Sequence, residues 1–401
     1  MSPAKKVKKG RQPGFGTVRK LPSGNLQASY IGPDGKRHNA ASTFANVGPA
    51  RDWLASVKAQ INMGTWLPPE EAQTKREREN MTFGEYAERW FVTRRKKGQP
   101  LRPNTQQTYR THLDKRLAVF ADKRLVAIDR AMVRDWHNEQ IATGHISQAT
   151  AAYKLLSLIL GEAVEDELIP ANPCRIKGAR SARTGREVEP PTRDELAKLV
   201  EVIDPRYKAM VQIMAWGGLR FGEVAELRRK DFTITRDADG AVSVIEVTIA
   251  RAMVHVTKTP DILPRDVKLC PCKPGCTVGP PKSEDGKRTI ALPPHVFGDV
   301  LDHLDNRTGK FGNSLLFVAS TGDQRHLTQP LFWWPWNEAR KKAGRSDLSV
   351  HSLRHFAGTR HQEAGATLKD TMSFLGHSTP GTAMGYQHET GRRVELAMRM
   401  A

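Results

Sequence analysis

Between residues 14 and 45, short alternating runs are divided by turn chemistry: Gly16–Arg19, Pro22-Ser23-Gly24, Leu26–Ile31, Pro33-Asp34-Gly35 and Lys36–Ala41. Alternation sends successive side chains to opposite faces, and the Gly and Asp positions supply the reversals, so this spacing predicts a three-stranded sheet. Trp53, Leu54, Val57 and Ile61 then recur at helical intervals, enough for one helix to cover one face of that sheet. Pro68 to Asn80 is polar and highly charged and reads as a linker or a solvated helix. A new apolar face starts with Tyr86, Trp90 and Phe91, directly after Thr82-Phe83-Gly84-Glu85, which has the form of a capping box. Further helices are expected near Asn104–Leu117, with Tyr109, Leu113 and Leu117 in step, and over Ser147–Leu168. Arg175 to Arg186 carries five positive charges and no acid, too little apolar surface to pack, and a second capping box at Thr192-Arg193-Asp194-Glu195 opens a third segment.

The pattern therefore predicts a multidomain chain: a small three-stranded β-sheet plus helix over residues 1–66, a linker over 67–80, an all-α domain over 81–174, a basic linker over 175–190, and a mixed, mainly α domain with a small β-sheet over 191–401. The length of 401 residues agrees, since single cores seldom grow past roughly 250–300 residues. With 63 Lys+Arg against 43 Asp+Glu the formal charge is +20, which attracts a polyanion. Candidate contacts to a DNA backbone are Arg19, Lys20 and Lys36 in the first module, Arg94, Arg95, Lys96 and Arg102 in the second, and Lys177, Arg180 and Arg183 in the tether. Each of these also reads as an ordinary solvated charge. No run has the roughly 18 apolar residues of a membrane span, and the basic start (Lys5, Lys6, Lys8, Lys9, Arg11) is not followed by a signal-peptide core, so a cytoplasmic location is expected.

In the third segment, Trp216-Gly217-Gly218-Leu219-Arg220-Phe221-Gly222-Glu223 sets Arg220 beside a helix N-terminus, with Glu223 placed to hold its guanidinium. An Arg fork can take two phosphate oxygens at once, which Lys cannot. Strand-like Val242–Ile249 is followed by Pro281-Lys282-Ser283 to Leu292, which reads as a β-hairpin with Lys282 near its tip. His351-Ser352-Leu353-Arg354 at a helix start puts His351 and Arg354 on one face. Leu375-Gly376-His377-Ser378 and, nine residues after His377, Tyr386 complete the set. Each piece alone has a bland reading: a helix cap, a surface lysine, a core histidine, a buried aromatic. Cys270, Cys272 and Cys276 crowd together, but a closed zinc site needs four ligands and neither Cys174 nor His255 declares itself as the fourth, so an inert loop is the preferred reading.

Taken in order, Arg220, Lys282, His351, Arg354, His377 and Tyr386 closely resemble the catalytic set of the phage integrase family of tyrosine recombinases. Residues 14–62 are similar to that family's arm-binding domain and 81–172 are placed like its core-binding domain. The resemblance implies a site-specific DNA recombinase that integrates, and excises, a mobile element. Tyr386 would be the nucleophile forming a 3′-phosphotyrosine, Arg220 and Arg354 the phosphate clamp, Lys282 the general acid, His351 the proton acceptor and His377 a further hydrogen-bond donor. It implies no metal and no cofactor, double-stranded attachment sites of core and arm type, and a homotetramer passing through a Holliday junction. A DNA-bending accessory protein and a directionality factor are left open. The alternatives are a DNA-binding regulator that kept the fold and lost the reaction, and a chromosome-dimer resolvase, which would lack the N-terminal sheet.

Overall fold

The computed structural model describes residues 14–181, 188–260, 262–272, 274–319 and 325–378; the basic start, Arg183 and Tyr386 lie outside them. The N-terminal part runs β1 (Thr17–Lys20), β2 (Leu26–Ile31), β3 (Arg37–Asn39), α1 (Val47–Asn62) and α2 (Pro69–Asn80). The middle part runs α3 (Phe83–Thr93), β4 (Arg95–Lys96), β5 (Gln99–Pro100), α4 (Pro103–Lys115), α5 (Arg130–Ala142) and α6 (Ile146–Glu165). After them come α7 (Arg193–Val202), α8 (Lys208–Gly217), α9 (Phe221–Val224), β6 (Phe232–Arg236), β7 (Val242–Ile249), β8 (Ala252–His255), β9 (Lys268–Leu269), β10 (Cys276–Gly279) and β11 (Arg288–Ala291). Four helices follow: α10 (Phe297–Asn306), α11 (Gln329–Lys342), α12 (Val350–Glu363) and α13 (Leu368–Leu375). No helix among the described residues is long and apolar enough to cross a membrane.

The chain forms two compact units, one drawn from Met1–Glu88, Val119–Asn138 and Leu156–Ile176, the other from Arg89–Ala118, Glu139–Leu155 and Lys177–Ala401. In the first, β1, β2 and β3 make the expected antiparallel sheet, with Thr17 opposite Ser29 and Ile31 opposite Arg37. Leu54 and Val57 of α1 close its inner face over Ala28 and Tyr30. The packing is tight enough that a Cβ on Gly16, whose φ of +74° already favours glycine, would stand 2.5 Å from a Leu54 methyl. α2 buries nothing and is the solvated helix that its composition allows. Phe120 lies between Phe83 and Trp136, with ring centroids 6.0 and 5.5 Å away, and the Tyr86 hydroxyl donates to Asp166 at 2.7 Å.

In the second unit, α8 is apolar on almost every side and buried among α7, α10 and α12, so Met210, Ile213 and Met214 centre the core. Beside it lies an antiparallel sheet of order β11-β7-β6, whose inward residues Ile245, Val247, Ile249 and Ile290 alternate with exposed ones. The Lys282 hairpin needs correction. β11 does pair with β7, Arg288 opposite Ile249, but residues 250–287 between them fold a sheet of their own, order β8-β10-β9. Lys282 therefore lies exposed on the connection from one sheet to the other, because β10 takes β8 and β9 as partners and leaves β11 to β7. The middle part also contains a hairpin that alternation over so few residues cannot reveal: β4 and β5, turned through Lys97 and Gly98 at φ of 51° and 72°.

Candidate active site

The site is organised by a turn and a helix end. α8 stops at Gly218 in the left-handed region (φ +66°), where a Cβ would meet a Leu375 methyl at 2.6 Å. Arg220 follows as the residue before α9, its backbone N–H donating to Glu223 at 3.0 Å and its Nη1 to the same carboxylate at 2.7 Å. Glu223 is 2% exposed and also accepts from Arg288 Nη2 at 3.1 Å. Burial alone would raise its pKa, but Arg288 and Arg220 together with the backbone bond hold the carboxyl below the usual range. Between the two, Gly222 touches the inserted sheet: a Cβ there would stand 2.3 Å from the Met253 carbonyl oxygen.

The last carbonyls of a helix have no partner inside it and carry the negative end of its dipole. At the end of α13 three guanidiniums take them in succession: Arg288 Nε donates to Phe374 O at 2.7 Å, Arg354 Nη2 to Leu375 O, and Arg220 Nη2 to Gly376 O at 3.3 Å. Arg354, on the first turns of α12, is fully buried and also donates to Gly218 O. Arg220 remains 30% exposed and is the member of the trio open to a ligand. His377 leaves this corner 7% exposed.

Three guanidiniums with one carboxylate leave excess positive charge, which adds to desolvation in lowering the pKa of the neighbouring imidazoles. His377 is held down to about 4 by burial and then by Arg354, Arg220, Arg288 and His351. His351 is pushed down as well, by partial desolvation of the ring and then by His355, Arg354 and Arg220, although the residue as a whole is exposed. Such a pocket favours an anion and keeps both histidines neutral, able to donate or accept a proton.

The structure thus brings together Arg220, Glu223, His351, Arg354 and His377. The Lys282 connection approaches the same corner, since a Cβ on Gly376 would meet Asp285 O at 2.6 Å. Tyr386 lies outside the described residues. Sequence reasoning missed Arg288, whose place beside Lys287 reads as surface charge; its capture by Glu223 is a long-range contact with no local signal. Of the basic residues singled out, Arg19, Lys20, Lys36, Arg95, Lys96, Lys177 and Arg180 are exposed. Arg94 lies over Trp90 at 5.6 Å, and Arg102 donates to Pro280 O at 3.2 Å, so part of each serves the fold. The cysteine cluster acquires a partner that the sequence did not offer: His326, and neither Cys174 nor His255.

A family model described as the phage integrase N-terminal domain matches residues 14–63, and one described as the phage integrase family matches residues 283–393. The protein named as a prophage phiRv2 integrase in Mycobacterium tuberculosis (strain CDC 1551 / Oshkosh) is 38% identical over 385 residues, covering 96% of this chain and 94% of the relative. Among solved structures, the Tn1549 transposon integrase in complex with a circular intermediate DNA aligns with a TM-score of 0.62 at 18% identity, over 80% of this chain and 100% of that one. A lambda integrase tetramer bound to a Holliday junction aligns at 0.54 and 16% identity, over 96% and 98%. At those identities the structural likeness carries the fold alone. The sequence relationship spans nearly the whole chain and carries more: the protein belongs to the phage integrase family of tyrosine recombinases, site-specific integrases.

Proposed function

We propose that the chain cuts and rejoins DNA at attachment sites through a covalent bond to Tyr386, with Arg220, Lys282, His351, Arg354 and His377 as its active site and Glu223 as the support. The observation that carries this reading is the convergence of Arg220, Arg288 and Arg354 on the end of α13, two of them paired with the buried acid Glu223. A phosphodiester repels nucleophiles, and a tyrosine hydroxyl with an ordinary pKa near 10 attacks it only where that charge is neutralised. Arg220 meets the non-bridging oxygens, Arg354 adds its charge from beneath, and His377 donates to the extra charge of the transition state. His351, neutral at physiological pH, takes the tyrosine proton, and Lys282 returns one to the departing 5′-oxygen. The 3′-phosphotyrosine conserves the energy of the broken bond, so a 5′-hydroxyl of the partner duplex can reverse the step without a nucleotide cofactor.

The wider reading follows the relatives. Residues 1–66 bind arm sites and 81–174 bind core sites beside the catalytic part, 191–401, and four protomers act on two duplexes in the cytoplasm. Support comes from the match of the N-terminal family model and from the lambda neighbour, described as a tetramer on a Holliday junction. The test is a denaturing gel with a nicked suicide substrate carrying the core site of the encoding element, wild type beside Tyr386→Phe. The wild type should give a protein–DNA adduct and Tyr386→Phe should bind DNA and give none. An adduct with the variant removes Tyr386 as nucleophile, and tight binding with no adduct from either protein leaves a DNA-binding regulator.

A further inference from the structure

Outside the catalytic corner, the inserted sheet holds a second cluster of chemistry-bearing groups. Cys270 and Cys272 follow directly after β9 and Cys276 begins β10, the two sides being tied by the Cys270 N–H donating to Cys276 O at 2.8 Å. The fourth member, His326, comes from the segment before α11, where it forms an isolated bridge with Val318. One donor atom from each of the four lies within 4.8 Å of all the others, and His326 Nδ1 stands 3.3 Å from both the Cys270 and the Cys272 sulfur.

We propose that Cys270, Cys272, Cys276 and His326 bind one zinc ion as a closed structural site that fastens the inserted sheet to the His326 segment. Zinc–sulfur bonds of about 2.3 Å and zinc–nitrogen bonds of about 2.0–2.1 Å set tetrahedral donor separations of roughly 3.5–3.8 Å. The sulfur–imidazole distances already approach that. The Cys270 and Cys272 sulfurs, 2.7 Å apart, open by about 1 Å to share the ion. Three soft sulfurs and one imidazole are a donor set for zinc and unsuited to magnesium or calcium.

A second and independent observation is the group behind the histidine. His326 Nε2 is bonded to the carboxylate of Glu226, which is 1% exposed. A carboxylate on the far nitrogen of a metal-binding histidine fixes the tautomer that leaves the other nitrogen's lone pair free, here Nδ1, the one facing the sulfurs. Glu226 is itself fixed by Arg228 at 2.7 Å and Arg251 at 3.2 Å. Gly275 lets the chain turn into Cys276: its φ is +76°, and a Cβ would strike Val256 O at 2.0 Å. Every ligand position is filled by protein, so the ion takes no part in phosphoryl transfer. Its effect is on the shape of the insert, whose last strand ends three residues before Lys282.

The test uses the full-length protein without a metal-binding tag, purified and kept reduced, reconstituted with zinc and desalted. Elemental analysis should find about one zinc per chain. Cobalt(II) put in its place should show thiolate charge-transfer and tetrahedral ligand-field absorption. Cys272→Ser and His326→Gln should each weaken zinc by more than the roughly 10–100-fold typical of losing a group behind a ligand. If either variant fails to fold, the wild-type stoichiometry and cobalt spectrum decide alone. Wild-type protein without zinc, a cobalt spectrum lacking thiolate bands, a Cys270–Cys272 disulfide that persists under reductant, or folded variants that hold zinc as the wild type does would each overturn the proposal.

Discussion

Glu223 and Glu226 lie three residues apart and are almost equally hidden, at 2% and 1% exposure, yet they organise opposite surroundings. Around Glu223 the positive charge exceeds the negative: Arg220 and Arg288 pair with it, Arg354 stands in the same corner, and Arg220 stays open. Around Glu226 the charges balance. Arg228 and Arg251 face Glu226 and Asp231, with Arg251 reaching Asp231 at 2.6 Å, and the imidazole of His326 closes the set. A buried carboxylate therefore does not by itself mark a reaction centre. What distinguishes the first cluster is unspent charge with a path to solvent, and what distinguishes the second is closure.

The largest effect is expected at Arg220, the open arginine. Arg220→Ala should slow adduct formation by about 10²–10³-fold while a gel shift on the core site changes far less, and Arg354→Ala should do the same if its buried charge is felt at the phosphate. A near-wild-type rate for either removes that residue from the site. A smaller and more discriminating contrast pairs Glu223→Gln with Glu226→Gln. The first leaves the nearly buried Arg288 without its counter-charge and should cost about 3 kcal/mol in urea unfolding as well as cleavage rate. The second should instead lower zinc affinity by about 10–100-fold and disturb cleavage less. Equal effects on both readouts would erase the distinction drawn between the clusters. The smallest effect concerns pH. His377, buried beside the guanidiniums, is held down to about 4 in the folded chain, whereas an unfolded histidine takes up its proton near 6.5. The unfolded state then binds more protons between those values, so stability falls as pH drops from about 6.5 towards 4. His377→Gln should flatten that part of a melting-temperature profile, and an unchanged slope would place the responsible groups elsewhere.

Much of this was legible in the sequence, and the reasons are local. Alternation and turn residues marked β1, β2 and β3, and the capping boxes at Thr82 and Thr192 are present as hydrogen bonds, Glu195 N–H donating to Thr192 at 3.2 Å. Gly218 and Arg220 were readable because a paired glycine before an arginine constrains only its own turn. What escaped depends on partners far along the chain. Nothing near His326 announces a sulfur cluster, and nothing near Arg288 announces Glu223. The Lys282 connection was misread because the same turn chemistry serves a tight hairpin and the exit from an inserted sheet; only strand pairing separates them. The strands of the β4–β5 hairpin are two residues each, too short for an alternation to repeat.

Gly222 gives the insert and the Arg220 turn a shared inheritance. With Met253 O where a Cβ would have to stand, position 222 is closed to every other residue for as long as β8 lies where it does. A lineage that trimmed, swapped or enlarged the inserted sheet could do so freely only on the side away from Arg220; on the near side, changes in the insert and in the turn that carries Arg220 have to be selected together.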